Sequence, residues 1–211
     1  MPGRQEVDHE PGSLRAEQVA ATRRAIVASA RQLFGSRGYA ATSVDDIARN
    51  ARVTKGAVYH HFDTKNDVFR AVYREVEDEA RARTGAAAAA ATGSAVDLIV
   101  AGAHGYLDAT LDAEVQRITL IDAPSVLGPT PDGSLAEDPG HVAMREFIAA
   151  AIDAGQIAAV DPDALAHLIS GSLLQSGLVI ARSEDPAAMR SRLGATLEAM
   201  IRGLDPRGST A

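Results

Sequence analysis

The chain has no cysteine and no tryptophan, and aromatics make up only 4% of its 211 residues. Without cysteine there is no disulfide framework and no thiolate metal site. With so few rings, a core must be built from Ala, Leu, Val and Ile, and alanine and leucine favour helix. Hydrophobic residues are 46% of the chain, enough for one large domain or two small ones. No run of about eighteen uninterrupted apolar residues occurs, so no membrane span is read. No segment alternates convincingly with period two, and the expected fold class is all-α. The first fourteen residues, MPGRQEVDHEPGSL, have no apolar core. They are expected to be a disordered tail rather than a signal peptide, with a cytoplasmic location as the default. The signatures G-x-S-x-G, H-E-x-x-H, G-x-G-x-x-G and the Walker loop are all missing, and no enzyme or cofactor is expected.

What is present is unevenly charged. The net charge is −7. Yet residues 15–65 carry nine Arg and Lys against four Asp and Glu, whereas residues 86–211 carry seven Arg against sixteen acids. A basic N-terminal module on an acidic body points to a polyanion as the partner of that module alone.

Helical spacing of Ile26, Ala30, Leu33 and Phe34 predicts a first helix over about 16–37, closed by Gly35 and Gly38. Ser43 opens a second with Asp46 three residues on, a capping-box pattern. "NARV" is a tight connection, and Thr54 caps a third helix, "KGAVYHHF". A fourth starts at "DTKND" and covers about 66–84, before the alanine run at 86–91. Further helices are expected from Val96, near 114–127, and over 141–154, 162–182 and 186–204. The last two start at Asp161-Pro162 and Asp185-Pro186, with proline in the first turn. Residues 128–140, rich in Pro and Gly, read as a loop.

Two short helices joined by a tight turn, the second rich in donors, describe a helix-turn-helix. The first residues of the second helix meet base edges in the major groove. These are Thr54, Lys55, Gly56 and Ala57. Lys55 can reach a guanine edge and Ala57 a thymine methyl, while Gly56 lets the backbone approach. Tyr59, His60, Thr42, Ser43 and Lys65 are placed to donate to phosphates, which fix orientation.

The stretch "ATSVDDIARNARVTKGAVYHHFDTKNDVF", with "AIVASARQLFGSRGYAAT" before it, resembles the TetR family of transcriptional regulators. "QRITLIDAPSVLG" and "DAGQIAAVDPDALAHLISGSLLQSGLVIA" resemble the effector-binding half of one branch of it, although Pro129-Thr130-Pro131 stands where that branch has an aromatic residue. The resemblance implies a homodimer of about nine helices. It would have a tail at 1–14, a DNA-binding domain at 15–65, an effector-binding and dimerisation domain at 66–205 and a tail at 206–211. It implies a palindromic operator as double-stranded DNA partner, a small-molecule effector, and a repressor as the usual outcome. The last two helices would form the dimer interface. Leu165, Ile169, Ser172, Ser176 and Val179 lie along the first of these, and Met189, Leu193, Leu197, Met200 and Ile201 along the second. Gly171, Ser172, Ser176 and Gly177 are small enough for close approach.

Polar residues on otherwise apolar faces are the effector candidates: His104, Tyr106, Arg117, Asp122, Arg145 and Gln175. Arg117 and Asp122 equally suit a plain salt bridge. His60 and His61 point about 100° apart on a helix and chelate one ion poorly. His104, His141 and His167 are distant in sequence and read as helix histidines in structural contacts, so no metal site is expected. Two other functions fit the residues: a DNA-binding protein that needs no ligand, and a helical small-molecule-binding protein or enzyme with a vestigial helix-turn-helix.

Overall fold

Side chains that cap helices punctuate this chain. Ser43 accepts from the Asp46 amide and Asp46 reaches back to the Ser43 amide, which starts α2 (Val44–Asn50). Thr54 caps α3 (Lys55–His61). Thr64 and Asp67 exchange the same reciprocal bonds at the head of α4 (Lys65–Ala90), as do Ser94 and Asp97 at α5 (Ala95–Ala109). Each satisfies amides that a helix start otherwise leaves without acceptors. A computed structural model describes residues 11–128 and 138–206. Among them are nine helical runs and no strand.

The first run, α1 (Pro11–Arg37), starts earlier than the spacing predicts. Proline costs nothing at a helix start, where its missing N–H has no partner to lose, so residues 11–14 are helical rather than tail. α4 also outruns its predicted end, carrying the alanine-rich segment as helix to Ala90. Gly93, at φ 124°, then turns the chain.

α6 (Ala113–Val115), a π-helical segment (Gln116–Asp122) and α7 (Ala123–Val126) form one continuous run. Pro124 cannot donate to a carbonyl one turn back and its ring crowds that carbonyl. The wider π turn just before it accommodates both effects. α8 (Pro139–Asp153), α9 (Pro162–Ala181) and α10 (Pro186–Arg202) share one device: Asp138, Asp161 and Asp185 each cap the helix from the residue before a first-turn proline. The predicted loop at 128–140 thus ends at Asp138. Its Pro129–Pro131 departure lies outside the described residues.

The chain divides into two compact units, the first running through Val72 and the second from Tyr73. The first is built on Ile26, Val27, Ala30 and Phe34 of α1, Ile47 of α2, Val58 of α3, and Val68, Phe69 and Val72 of α4, all buried. The first two turns of α4 therefore belong to the helix-turn-helix, beyond the predicted boundary at 65. Phe34, Tyr39 and Phe69 stack in a cluster with ring centroids 5.1 to 5.7 Å apart. The second core joins α5, α8, α9 and α10 through Ile99, Leu107, Ile148, Leu173, Ile180 and Leu197.

Candidate nucleic-acid interface

The turn between α2 and α3 sets the attitude of the exposed helix. Val53 N–H donates to the Ala48 carbonyl at 3.0 Å and Arg52 N–H to that of Arg49 at 3.2 Å. This double closure places Arg52 in the left-handed region at φ 56°, a position glycine ordinarily takes. From there α3 turns Val58 inward, and Phe62 is buried just beyond its end. Arg23 lies over the Phe62 ring at 4.9 Å.

Lys55, Gly56, Tyr59 and His60 remain exposed. Their spacing of one and four residues puts them on one side of the helix. A Cβ on Gly56 would meet only Thr54 Oγ1, at 3.8 Å, so nothing in the chain needs a glycine there. Lys55 Nζ donates to Asp45 Oδ2 of α2 at 2.9 Å, and that bond pushes the ammonium pKa up. Thr54 Oγ1 accepts from the Ala57 amide at 3.1 Å. The exposed Ser43 hydroxyl donates to Asp46 Oδ2 at 2.6 Å, and that bond is the leading cause of a lowered Asp46 pKa.

Two predicted phosphate donors are built into the fold instead. Thr42 is 1% exposed, and its hydroxyl donates to the Gly38 carbonyl at 2.9 Å. Lys65 turns inward, donating to the carbonyls of Tyr39 and Thr42 at 2.9 Å each, with its ammonium 3.8 Å from the Tyr39 ring centre. Desolvation lowers its pKa, and Tyr39 in turn donates to Asn66 Oδ1. Together these bonds fix the α1–α2 loop and leave the outward donor set to Thr54 and the exposed face of α3, the Ser43 hydroxyl being engaged by Asp46.

A groove of about 280 Å³ lies between α9 and α10, lined by Gln175, Leu178, Val179, Arg182, Ser183 and Met189. Of the six effector candidates, only Gln175 borders it. His104 Nε2 is 3.0 Å from Glu198 Oε2, in a chain that continues through Arg202 to Asp97 and ties α5 to α10. Arg117 Nε lies 3.4 Å from Asp122 Oδ2, both in the π segment. Burial pushes the Tyr106 pKa up, and Arg145 is exposed on α8.

Of the ten predicted interface residues, Ile169, Leu197 and Ile201 are core residues of their own chain. Gly177 is filled from inside: a Cβ there would meet Thr110 Cγ2 at 3.1 Å. The side chains that do stand out are Leu168 at 69%, Leu174 at 50% and Met200 at 62% exposure. Leu168 and Leu174 escaped the spacing argument because α9 is apolar nearly all round, which hides the phase of the stripe.

The chain matches two family models. Residues 26–72 match bacterial regulatory proteins of the tetR family, and residues 96–204 match the tetracyclin repressor-like C-terminal domain. It is 30% identical over 156 residues to the transposon Tn10 TetC protein of Escherichia coli, covering 74% of this chain and 78% of that protein. The HTH-type transcriptional repressor BepR of Brucella suis is 42% identical over 55 residues, 26% of each chain. A solved structure of a TetR-family transcriptional regulator from Pectobacterium atrosepticum shares 36% identity at a TM-score of 0.77, covering 90% of this chain and 97% of that one.

Proposed function

The chain belongs to the TetR family of transcriptional regulators, and on that footing we propose that it represses transcription from a palindromic operator as a homodimer and releases it on binding a small molecule. The strongest support for operator contact is the outward face of α3, where Lys55, Tyr59 and His60 surround a glycine that its own fold does not need. Lys55 and the open backbone at Gly56 read base edges. Thr54, Tyr59 and His60 hold phosphates, and Ser43 joins them by giving up its bond to Asp46.

The homodimer reading is supported by α9. Leu168, Gly171 and Leu174 share an exposed face, with open space around Gly171. Over the most apolar eighteen-residue stretch of α9, 33% is buried. An apolar face of this extent calls for a covering partner, and a second copy packed through α9 and α10 supplies one. Such a pair presents two recognition helices about one DNA turn apart.

α4 is an unbroken helix across the boundary between the two units. An effector in the second unit acts through it, to the extent that it binds one conformation more tightly than another. The decisive experiment is selection of binding sites for the purified protein from random DNA duplexes. A palindromic consensus supports the proposal and supplies the operator for effector screening by release. Weak, salt-driven binding with no enriched sequence overturns it.

A further inference from the structure

We infer that His141, Asp163 and His167 form a binding site for one divalent transition-metal ion of the zinc class. His141 sits in the first turn of α8, where Asp138 Oδ1 accepts from its amide at 3.0 Å. Its side chain is 1% exposed. Ser170 Oγ lies 3.5 Å from Nδ1, while the buried Nε2 has no hydrogen-bond partner among the described residues. The nearest carboxylate oxygen, Asp163 Oδ1, is 3.8 Å from it, beyond hydrogen-bond range. A buried ring nitrogen held just short of the Asp163 carboxylate calls for a third body between them.

α9 supplies the other two donors. Asp163 and His167 are one helical turn apart, with His167 Nδ1 3.6 Å from Asp163 Oδ2 and 3.1 Å from the Asp163 carbonyl. The His141 and His167 rings meet at 70° with centroids 4.3 Å apart. One donor atom from each of the three residues falls within 4.8 Å of the others.

Bonds of about 2.1 Å in tetrahedral geometry separate donors by about 3.4 Å. Asp163 presents a different oxygen to each histidine, at 3.8 and 3.6 Å, and the three donors, within 4.8 Å of one another, draw in by up to about 1.4 Å to reach that spacing. His167 and Asp163 are 43% and 56% exposed and free to close on an ion, while buried His141 anchors it. Two imidazoles and a carboxylate are a zinc-type donor set, with a fourth position for water. The site lies at the positive ends of α8 and α9, so the Asp163 charge is required to hold a dication there.

The test needs no DNA and stands apart from the operator proposal. Full-length, untagged protein stripped by chelator is titrated with Zn²⁺ by calorimetry against a competing chelator, and with Co²⁺ by visible absorption. One ion per chain and the bands of four-coordinate cobalt are expected. Asp163→Asn and His167→Ala, both at exposed positions, weaken binding by about 10- to 100-fold or more. His104→Ala does not. Sub-stoichiometric uptake, or unchanged affinity in both variants, overturns the assignment.

Discussion

Gly56→Ala separates the stability of the DNA-binding unit from its recognition of DNA. The glycine has no left-handed backbone to protect, and its missing Cβ would meet only Thr54 Oγ1 at the ordinary contact distance of 3.8 Å. Alanine is favoured over glycine in a helix by about 1 kcal/mol in the interior and somewhat less in a first turn, so a gain of about 0.5–1 kcal/mol is expected. With a urea slope of about 1–3 kcal/mol/M, the midpoint rises by a few tenths molar at unchanged slope. On DNA the sign reverses. If the α3 backbone approaches base edges, the new methyl group displaces it, and a loss of about 1.4 kcal/mol is already tenfold in Kd. Fluorescence anisotropy on a selected operator, beside a urea melt, reads both numbers on one preparation. A stabilised variant that keeps full operator affinity would refute the close approach of α3.

Arg52→Gly relieves the left-handed backbone of the turn and stabilises the unit by up to about 1 kcal/mol, seen as a raised urea midpoint. Leu168→Glu places a charge on the exposed face of α9 and shifts dimer toward monomer by more than tenfold in dissociation constant, measured by light scattering across concentration. A dimer indifferent to that change is not held by this face. Asp97 is lowered from 3.8 to about 2, chiefly by its bond from Arg202. Its contribution is complete above pH 3.8 and lost as pH falls through about 2. The melting temperature of Asp97→Asn therefore lies below wild type at pH 7, and the gap narrows as pH falls from 3.8 to about 2. A gap that does not narrow over that range contradicts the ion-pair origin.

The helix starts were legible because each is written in a few adjacent residues. Ser43 with Asp46, Thr54, Asp161-Pro162 and Asp185-Pro186 all cap the helices they were expected to open. Asp138-Pro139 carries the same signal. Prolines and glycines surround it and give the stretch the composition of a loop. The face of a side chain was harder to read than its helix. Lys65 looked like a phosphate donor, but its direction is set by the carbonyls of Tyr39 and Thr42, more than twenty residues away. His141 and His167 gave no local hint of meeting, since only the packing of α8 on α9 brings their rings to 4.3 Å.

The bond between Lys55 and Asp45 carries a consequence for how such a protein searches a chromosome. The cation proposed to read a base is already bonded to an acid of its own module. An isolated phosphate offers Lys55 much the same thing as that carboxylate, a single exposed anion, and gives it little reason to change partners. A guanine edge offers two acceptors side by side. If Lys55 reads a base as proposed, Asp45 is a resident competitor that Lys55 leaves only where the exchange is favourable, which would shorten each stay on irrelevant sequence.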